Sequence, residues 1–363
     1  MIIKDIEISE IKIPLVVPFK TALRTVDAVD DILVRVTSDT GEVGYGEAPP
    51  TAVITGDIKP SIAGAIMNIL RPTLIGRDVD DLIGNAAAMD LALHGNNSAK
   101  AAVDIALWDL YAKSCGKPLC RVLGGKAREV ETDVTISVNP IEEMVADSLR
   151  GVSDGFNILK IKVGREGLKD VERIREIRRA VGPDIKLRVD ANQGWEAKQS
   201  VRIIAAMEDE GLDIDLVEQP VKAHDLEGMR YVTSNTYTPI LADESVFSAA
   251  DAIEIIRTRA ADLINIKLMK TGGITGALRI CAVAEACGVE CMTGCMLESK
   301  LSVSAAAHLA AARPIITRSD LDGPALCKLD PYEGGPTFDG ARIIMNETPG
   351  IGITGVPFTP IKL

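Results

Sequence analysis

Five apolar runs in the middle of the chain each end in a charged residue, and these charges recur at nearly constant spacing. Ile158-Leu-Lys-Ile-Lys162 is followed by Leu187-Arg-Val-Asp190, Leu216-Val-Glu218, Ile240-Leu-Ala-Asp243 and Leu263-Ile-Asn-Ile-Lys267, with steps of 28, 28, 25 and 24 residues between the terminal charges. Each interval holds an amphipathic stretch and turn residues, the length of one strand, loop, helix and loop. Repeated units of this kind pair in parallel and bury both faces of the sheet. Within the first run, period-2 geometry sends Lys160 and Lys162 to one face and Leu159, Ile161 and Val163 to the other. An ammonium on an inward face needs an anion opposite it, because burying an unpaired charge is costly. The carboxylates ending the next three runs are the candidates.

The rhythm predicts strands near residues 133–137, 158–163, 185–190, 215–218, 240–243, 263–267, 289–292 and 314–317, with helices over 168–180 and 197–210 among the connections. Eight strands of one repeat imply a closed parallel barrel. Residues 1–125 read differently. Strands at 2–14, 32–37 and 43–45 form a meander, followed by helices near 59–70, 79–93 and 98–113. The last starts at Asn97 or Ser98 and stops at Gly116. The expected organisation is α/β: a closed parallel barrel over 126–322 and an α+β domain over 1–125. The Gly/Pro-rich segment 323–363 is expected to return to that domain.

Only 3% of the residues are aromatic, which suits Ala- and Leu-rich helices over parallel strands. A net charge of −12 and a pI near 4.9 argue against a nucleic-acid surface or an anionic membrane. No run of 18 apolar residues and no signal-peptide core occurs. The seven cysteines, an odd number without a C-x-x-C pair, read as buried thiols of a cytoplasmic protein.

Groups at the C-terminal ends of barrel strands converge on one site. There Asp190, Glu218 and Asp243 can offer hard oxygen ligands to one Mg²⁺. Any one of them alone reads more simply as a helix cap or salt-bridge partner; three in register between lysine-bearing strands do not. His94, His224 and His308 lie on no expected strand end and read as packing or surface residues, which disfavours zinc and a histidine base. A lysine acts as a base only when its pKa falls towards neutrality, which neighbouring positive charge and a dry site can bring about. Lys162 and Lys267 flank the metal strands from opposite sides, one for each face of a bound α-carbon. Lys160 shares the strand face of Lys162 and reads more simply as a structural partner of the carboxylates.

Residues Ala101-Ala-Val-Asp-Ile-Ala-Leu-Trp-Asp-Leu-Tyr-Ala-Lys113, Gly116-Lys-Pro-Leu119 and Leu123-Gly-Gly125 resemble the capping-domain signature of the enolase superfamily, muconate-lactonising subgroup. Lys160-x-Lys162, Asp190-Ala-Asn192, Glu218-Gln-Pro220, Ala242-Asp-Glu-Ser245 and Lys267-Leu-Met-Lys-Thr-Gly-Gly273 resemble its barrel motifs. The resemblance implies a modified TIM barrel, (β/α)7β, of eight strands and seven regular helices, with 1–125 as an α+β capping domain whose loops form a lid. It also implies Mg²⁺ on Asp190, Glu218 and Asp243, Lys162 and Lys267 as paired bases, and Lys160 as support for an enediolate. Mandelate-racemase-like members use a histidine near strand seven; Thr293-Gly-Cys-Met-Leu-Glu-Ser299 offers none, so sugar-acid dehydration is disfavoured.

Ser319-Asp-Leu-Asp322 ends the last barrel strand with two carboxylates facing the mouth, a cation site unsuited to a dicarboxylate or succinylated substrate. In the dipeptide epimerases, which it resembles, such a pair holds the substrate's α-ammonium, a role carried here to Asp320 and Asp322. In the lid loop after the first strand, Arg24 matches the position that meets an acidic side chain in alanyl-glutamate epimerases. Thr135 and Met296 complete the expected substrate contacts, and a homo-oligomer is expected. The implied activity is Mg²⁺-dependent epimerisation of the C-terminal residue of a dipeptide, Ala-Glu foremost. Alternatives are an N-succinylamino acid racemase or o-succinylbenzoate synthase, and a non-catalytic barrel scaffold.

Overall fold

The computed structural model describes residues 1–21 and 25–361. Its first sheet is an antiparallel meander of β1 (Ile3–Lys20), β2 (Thr25–Ser38) and β3 (Val43–Ala48). Alternation along β1 buries Ile6, Ile8, Ile11, Ile13 and Leu15. The strand runs beyond its expected end at Pro14, with a register shift between Pro14 and Phe19. Proline removes one ladder donor, which a bulged strand tolerates. The extension carries Lys20 to the barrel, where its N–H donates to Ser137 Oγ at 3.0 Å and its carbonyl accepts from Val138 at 3.1 Å.

The helix Asn97–Ser114 is buried on nearly every side and forms a core element. Gly44 and Gly46 of β3 make this possible: a Cβ there would meet the carbonyl oxygens of Ala106 and Ala102 at 2.0 and 1.9 Å. The N-cap is Asn96, one residue before the expected pair, and the Ser98 N–H is taken by Asp57 Oδ2 at 3.1 Å. Asp104 and Trp108 of this helix both bond Thr275, which fastens the N-terminal layer to the barrel. The expected helix over 59–70 has a five-residue π segment, Ile66–Leu70, and then a short helix Arg71–Leu74 that contains Pro72.

A short β4 (Val130–Glu131) precedes eight parallel strands in sequential order: β5 (Val134–Ile136), β6 (Ile158–Lys162), β7 (Lys186–Asp190), β8 (Ile214–Glu218), β9 (Ile240–Ala242), β10 (Leu263–Lys267), β11 (Cys291–Gly294) and β12 (Ile316–Asp320). Among the described residues seven long helices join them. The seam between β5 and β12 is bridged by side chains. Asp322 Oδ2 accepts the Thr135 N–H at 2.7 Å, and Thr132 Oγ1 accepts the Leu321 N–H at 2.7 Å. The interior is packed rather than open. Arg188 donates to Asp133, Asp215 and the Ser319 carbonyl, and Leu216, Leu241, Leu263 and Met292 fill the layer nearer the strand beginnings.

The C-terminal tail serves both halves. β14 (Thr337–Asp339) and β15 (Arg342–Ile344) extend β4, while β13 (Glu333–Gly334) pairs with β16 (Ile353–Gly355). Further on, the Ile361 N–H bonds the Ile8 carbonyl and Phe358 packs on Tyr45. No helix among the described residues is long and apolar enough to cross a membrane. All seven cysteines are free thiols; Cys115 and Cys287 are exposed, against the expectation that the set is buried.

Candidate active site

Strand register sets the site. Lys160 stands opposite Thr135 and Arg188, Lys162 opposite Asp190, Asp190 opposite Glu218, and Lys267 opposite Gly294. Parallel pairing at equal height therefore gathers charges that are far apart in sequence. Glycine at 294 leaves room for the lysine: a Cβ there would lie 2.9 Å from the Lys267 side chain.

Lys160 is buried at the hub, with its Nζ 2.7 Å from Asp320 Oδ2, 2.7 Å from Glu218 Oε2 and 3.1 Å from Asp190 Oδ2. Lys162 Nζ lies 2.6 Å from Asp190 Oδ2, and Lys267 Nζ lies 2.8 Å from Asp243 Oδ2. Thr135, Lys160, Lys162, Lys267, Met296, Asp320 and Asp322 line one crevice at the strand ends, closed over by Phe19, Thr21, Val53 and Ile54. Asp190, Glu218 and Asp243 are buried behind the lysines. Met296 is held by its N–H bond to Glu298 Oε1 at 2.6 Å. Arg24 lies outside the described residues.

The expected cation pair is more occupied than its spacing suggested. Asp320 binds Lys160, and Asp322 binds the Thr135 backbone, so each has one oxygen engaged by the protein while still facing the crevice. Burial raises Asp320, but Lys160 and Lys267 outweigh it and hold its carboxyl at about 2. Burial and the charge of Asp320 push Asp322 up to about 6.

The expected fall in the lysine pKa values counts a dication beside them; the protein's own groups act the other way. Burial pulls Lys267 down, but Asp243 and Glu218 outweigh it and hold its pKa above the ordinary value. Lys160 is likewise raised, burial being overcome by Asp320, Glu218 and Asp190. The protein's own charges thus favour ammonium, and a fall towards neutrality requires further positive charge in the site.

Sequence reasoning missed a supporting shell. Lys270 is wholly buried and donates to Asp243 Oδ1 at 2.6 Å. Asn265 Nδ2 donates to Glu218 Oε1 at 3.1 Å, and Gln219 Oε1 accepts the Asp243 N–H at 2.9 Å. Glu244, in the same Asp-Glu-Ser motif as Asp243, is buried; burial and the charges of Asp243 and Asp190 push it up to about 7. The signal for Lys270, Gln219 and Glu244 was their position within the motifs; Asn265 lies in the apolar run before Lys267. His308 is a packing residue, as expected: its Nδ1 accepts the Cys120 N–H at 3.2 Å, and burial lowers its pKa to about 4.

No three His, Cys, Asp or Glu side chains among the described residues form a ready metal cage, because lysine ammoniums bridge the carboxylates. The donor set nonetheless fits a hard cation. Its charged members are carboxylates, burial with Asp190 and Asp243 pushes Glu218 up to about 8, and Asn192 Oδ1, Glu244 Oε2 and Asn265 Oδ1 are buried without a hydrogen-bond donor. Oxygen-only surroundings with surplus acceptors suit Mg²⁺ over zinc.

Residues 3–124 match the mandelate racemase / muconate lactonizing enzyme N-terminal domain, and residues 143–356 match the enolase C-terminal domain-like family. The chain is 54% identical to the L-Ala-D/L-Glu epimerase of Clostridium acetobutylicum over 98% of its length and 99% of that protein's. Its fold matches the substrate-liganded L-Ala-D/L-Glu epimerase of Bacillus subtilis with a TM-score of 0.96 at 53% identity, covering 98% of this chain and 99% of that one. The dipeptide epimerase of Enterococcus faecalis, solved with Mg and L-Leu-L-Tyr, aligns with a TM-score of 0.94 at 42% identity over 98% and 100% of the two chains. With the charged barrel mouth and the capping layer already in place, these matches define the lineage: the chain belongs to the enolase superfamily, in its mandelate racemase / muconate lactonizing enzyme branch.

Proposed function

We propose that this protein is an isomerase that epimerises the C-terminal residue of a dipeptide, with Ala-Glu as its preferred substrate. The observation that carries the reading is that Lys162 and Lys267 reach one crevice from β6 and β10, while Asp190, Glu218 and Asp243 lie on or just past the ends of the strands between them. One lysine, as the free amine, takes the α-proton; the other, as ammonium, returns a proton to the opposite face. Each stereoisomer is thereby served by its own base, and net charge is conserved.

Asp190, Glu218 and Asp243 would hold Mg²⁺, which when bound supplies charge that stabilises a substrate carboxylate as its α-proton leaves. Lys160, fixed by three carboxylates, keeps a positive charge at the centre of the site. Phe19, Val53 and Ile54 exclude water above the reacting carbon, which strengthens each charge interaction below. Asp320 and Asp322 face the crevice where a dipeptide's ammonium would lie. The homologous L-Ala-D/L-Glu epimerases support an acidic second residue, and Arg24 in the lid loop is its proposed partner.

The test is loss of α-deuterium from labelled L-Ala-L-Glu in D₂O-free buffer with and without Mg²⁺, run beside N-succinyl and N-acetyl amino acids. Mg²⁺-dependent exchange and epimerisation confined to dipeptides supports the proposal. Comparable turnover of N-acyl amino acids would move the assignment to a racemase, and no exchange on any substrate would leave a scaffold.

A further inference from the structure

The two oxygens of Asp243 are held by different lysines in different ways. Oδ2 faces Lys267, a crevice residue, at 2.8 Å. Oδ1 is held at 2.6 Å by Lys270, which is wholly buried and does not line the crevice. Lys270 Nζ also donates to the Asp243 carbonyl and, at 2.9 Å, to the Asn265 carbonyl. An ammonium has three protons, so all three are used, two of them on fixed backbone oxygens. Its position on the short helix Leu268–Thr271 is fixed in turn, since the Lys270 carbonyl accepts Asn97 Nδ2 at 2.6 Å. Lys267 lines the crevice, whereas Lys270 is enclosed by its three acceptors.

We infer that Lys270 sets the metal preference of the site, by engaging Asp243 Oδ1 with a charged donor and so weakening it as a cation ligand relative to Oδ2. A single-oxygen ligand suits small, six-coordinate Mg²⁺. Ca²⁺ takes more oxygens at longer distance and gains from carboxylates that give both. Lys270 is thus a positioning residue that discriminates against Ca²⁺ through Asp243. The inference rests on the metal reading proposed above.

The experiment is calorimetric titration of the whole protein with MgCl₂ and with CaCl₂, for wild type, Lys270→Met and Lys270→Gln, with circular dichroism to verify folding. Lys270→Met frees Oδ1 but leaves two buried carbonyls without their donor. Lys270→Gln keeps an amide that can serve a carbonyl but has no charge to hold the carboxylate, and it is expected to shift the preference the same way. The expected result is a Ca²⁺-to-Mg²⁺ affinity ratio raised about tenfold or more, the scale on which residues supporting metal ligands act. An unchanged ratio in either folded variant overturns the inference while leaving the metal site standing. Failure of the wild-type protein to bind Mg²⁺ at all removes the metal reading, and this inference with it.

Discussion

Asp322 accepts the Thr135 N–H at 2.7 Å across the seam between the first and last barrel strands. One carboxylate therefore helps to close the barrel and, at the same time, faces the crevice where a substrate would bind. The two roles separate by substitution. Asp322→Ala leaves a buried N–H unpaired and is expected to cost about 1–3 kcal/mol of stability. Asp322→Asn keeps an acceptor for Thr135 and should retain most of that stability while losing activity. Denaturant unfolding read beside kcat/KM decides it; equal destabilisation by both variants would show that the seam needs the charge rather than the acceptor.

Glu218→Gln should abolish turnover and leave the fold intact. Gln keeps the volume of Glu218, although its amide nitrogen replaces an oxygen that faces Lys160 or Asn265 Nδ2. The charge matters for a cation, and Gln cannot supply it. Measurable epimerisation by this variant at saturating Mg²⁺ would contradict its place in the metal site.

Lys162→Ala and Lys267→Ala should each stop epimerisation, yet each should still exchange the α-proton of one stereoisomer with solvent, a different one in the two variants. The measurement is deuterium incorporation into separate L,L and L,D dipeptides by mass spectrometry. Loss of exchange for both stereoisomers in both variants would count against two independent bases.

His308 gives a pH prediction remote from the crevice chemistry. It is wholly buried and its pKa is lowered from 6.5 to about 4 by burial. The folded protein keeps it neutral, whereas the unfolded chain protonates it below about 6.5, so between these values the unfolded state binds more protons. The contribution is present above pH 6.5 and is lost as pH falls towards 4, by about 3 kcal/mol in all. Stability curves for wild type and His308→Gln should therefore converge on acidification. Parallel curves would mean that His308 is not held neutral.

The barrel was legible because five consecutive strands, β6 to β10, end where an apolar run meets a charge. It was least legible where the inward face turns polar. The last strand was expected over 314–317 but runs Ile316–Asp320, because Arg318, Ser319 and Asp320 continue the ladder opposite Met292, Thr293 and Gly294. The same blindness hid the end of β1 beyond Pro14, where pairing with β2 overrides the proline. The crevice residues Lys160, Lys162, Lys267, Asp320 and Asp322 could be placed together from strand ends alone. Lys270 could not, since nothing in Lys267-Leu-Met-Lys270 says that the second lysine turns back under Asp243. The protein's own part in the lysine pKa values depends on how many carboxylates surround each ammonium, a count that only three-dimensional packing supplies.

Specificity provides the sharpest test of the charge arrangement. If Asp320 and Asp322 receive the dipeptide ammonium, removing one carboxylate leaves a desolvated cation partly unpaired, at a cost of about 2–5 kcal/mol in transition-state binding. N-acetylation of the substrate deletes the same interaction from the other side, so its effect and that of Asp320→Asn should be strongly non-additive. Asp320→Asn also removes one partner of Lys160, which keeps Glu218 at 2.7 Å and Asp190 at 3.1 Å and so remains a held ammonium. Arg24→Ala should act independently, lowering kcat/KM for Ala-Glu far more than for Ala-Leu or Ala-Phe. The measurement is kcat/KM for wild type and the two variants on Ala-Glu, Ala-Leu, Ala-Phe and N-acetyl-Ala-Glu. Equal turnover of N-acetyl-Ala-Glu and Ala-Glu by the wild-type protein would eliminate the ammonium site. A uniform loss on all dipeptides in Arg24→Ala would remove the glutamate preference alone and leave the epimerase assignment in place.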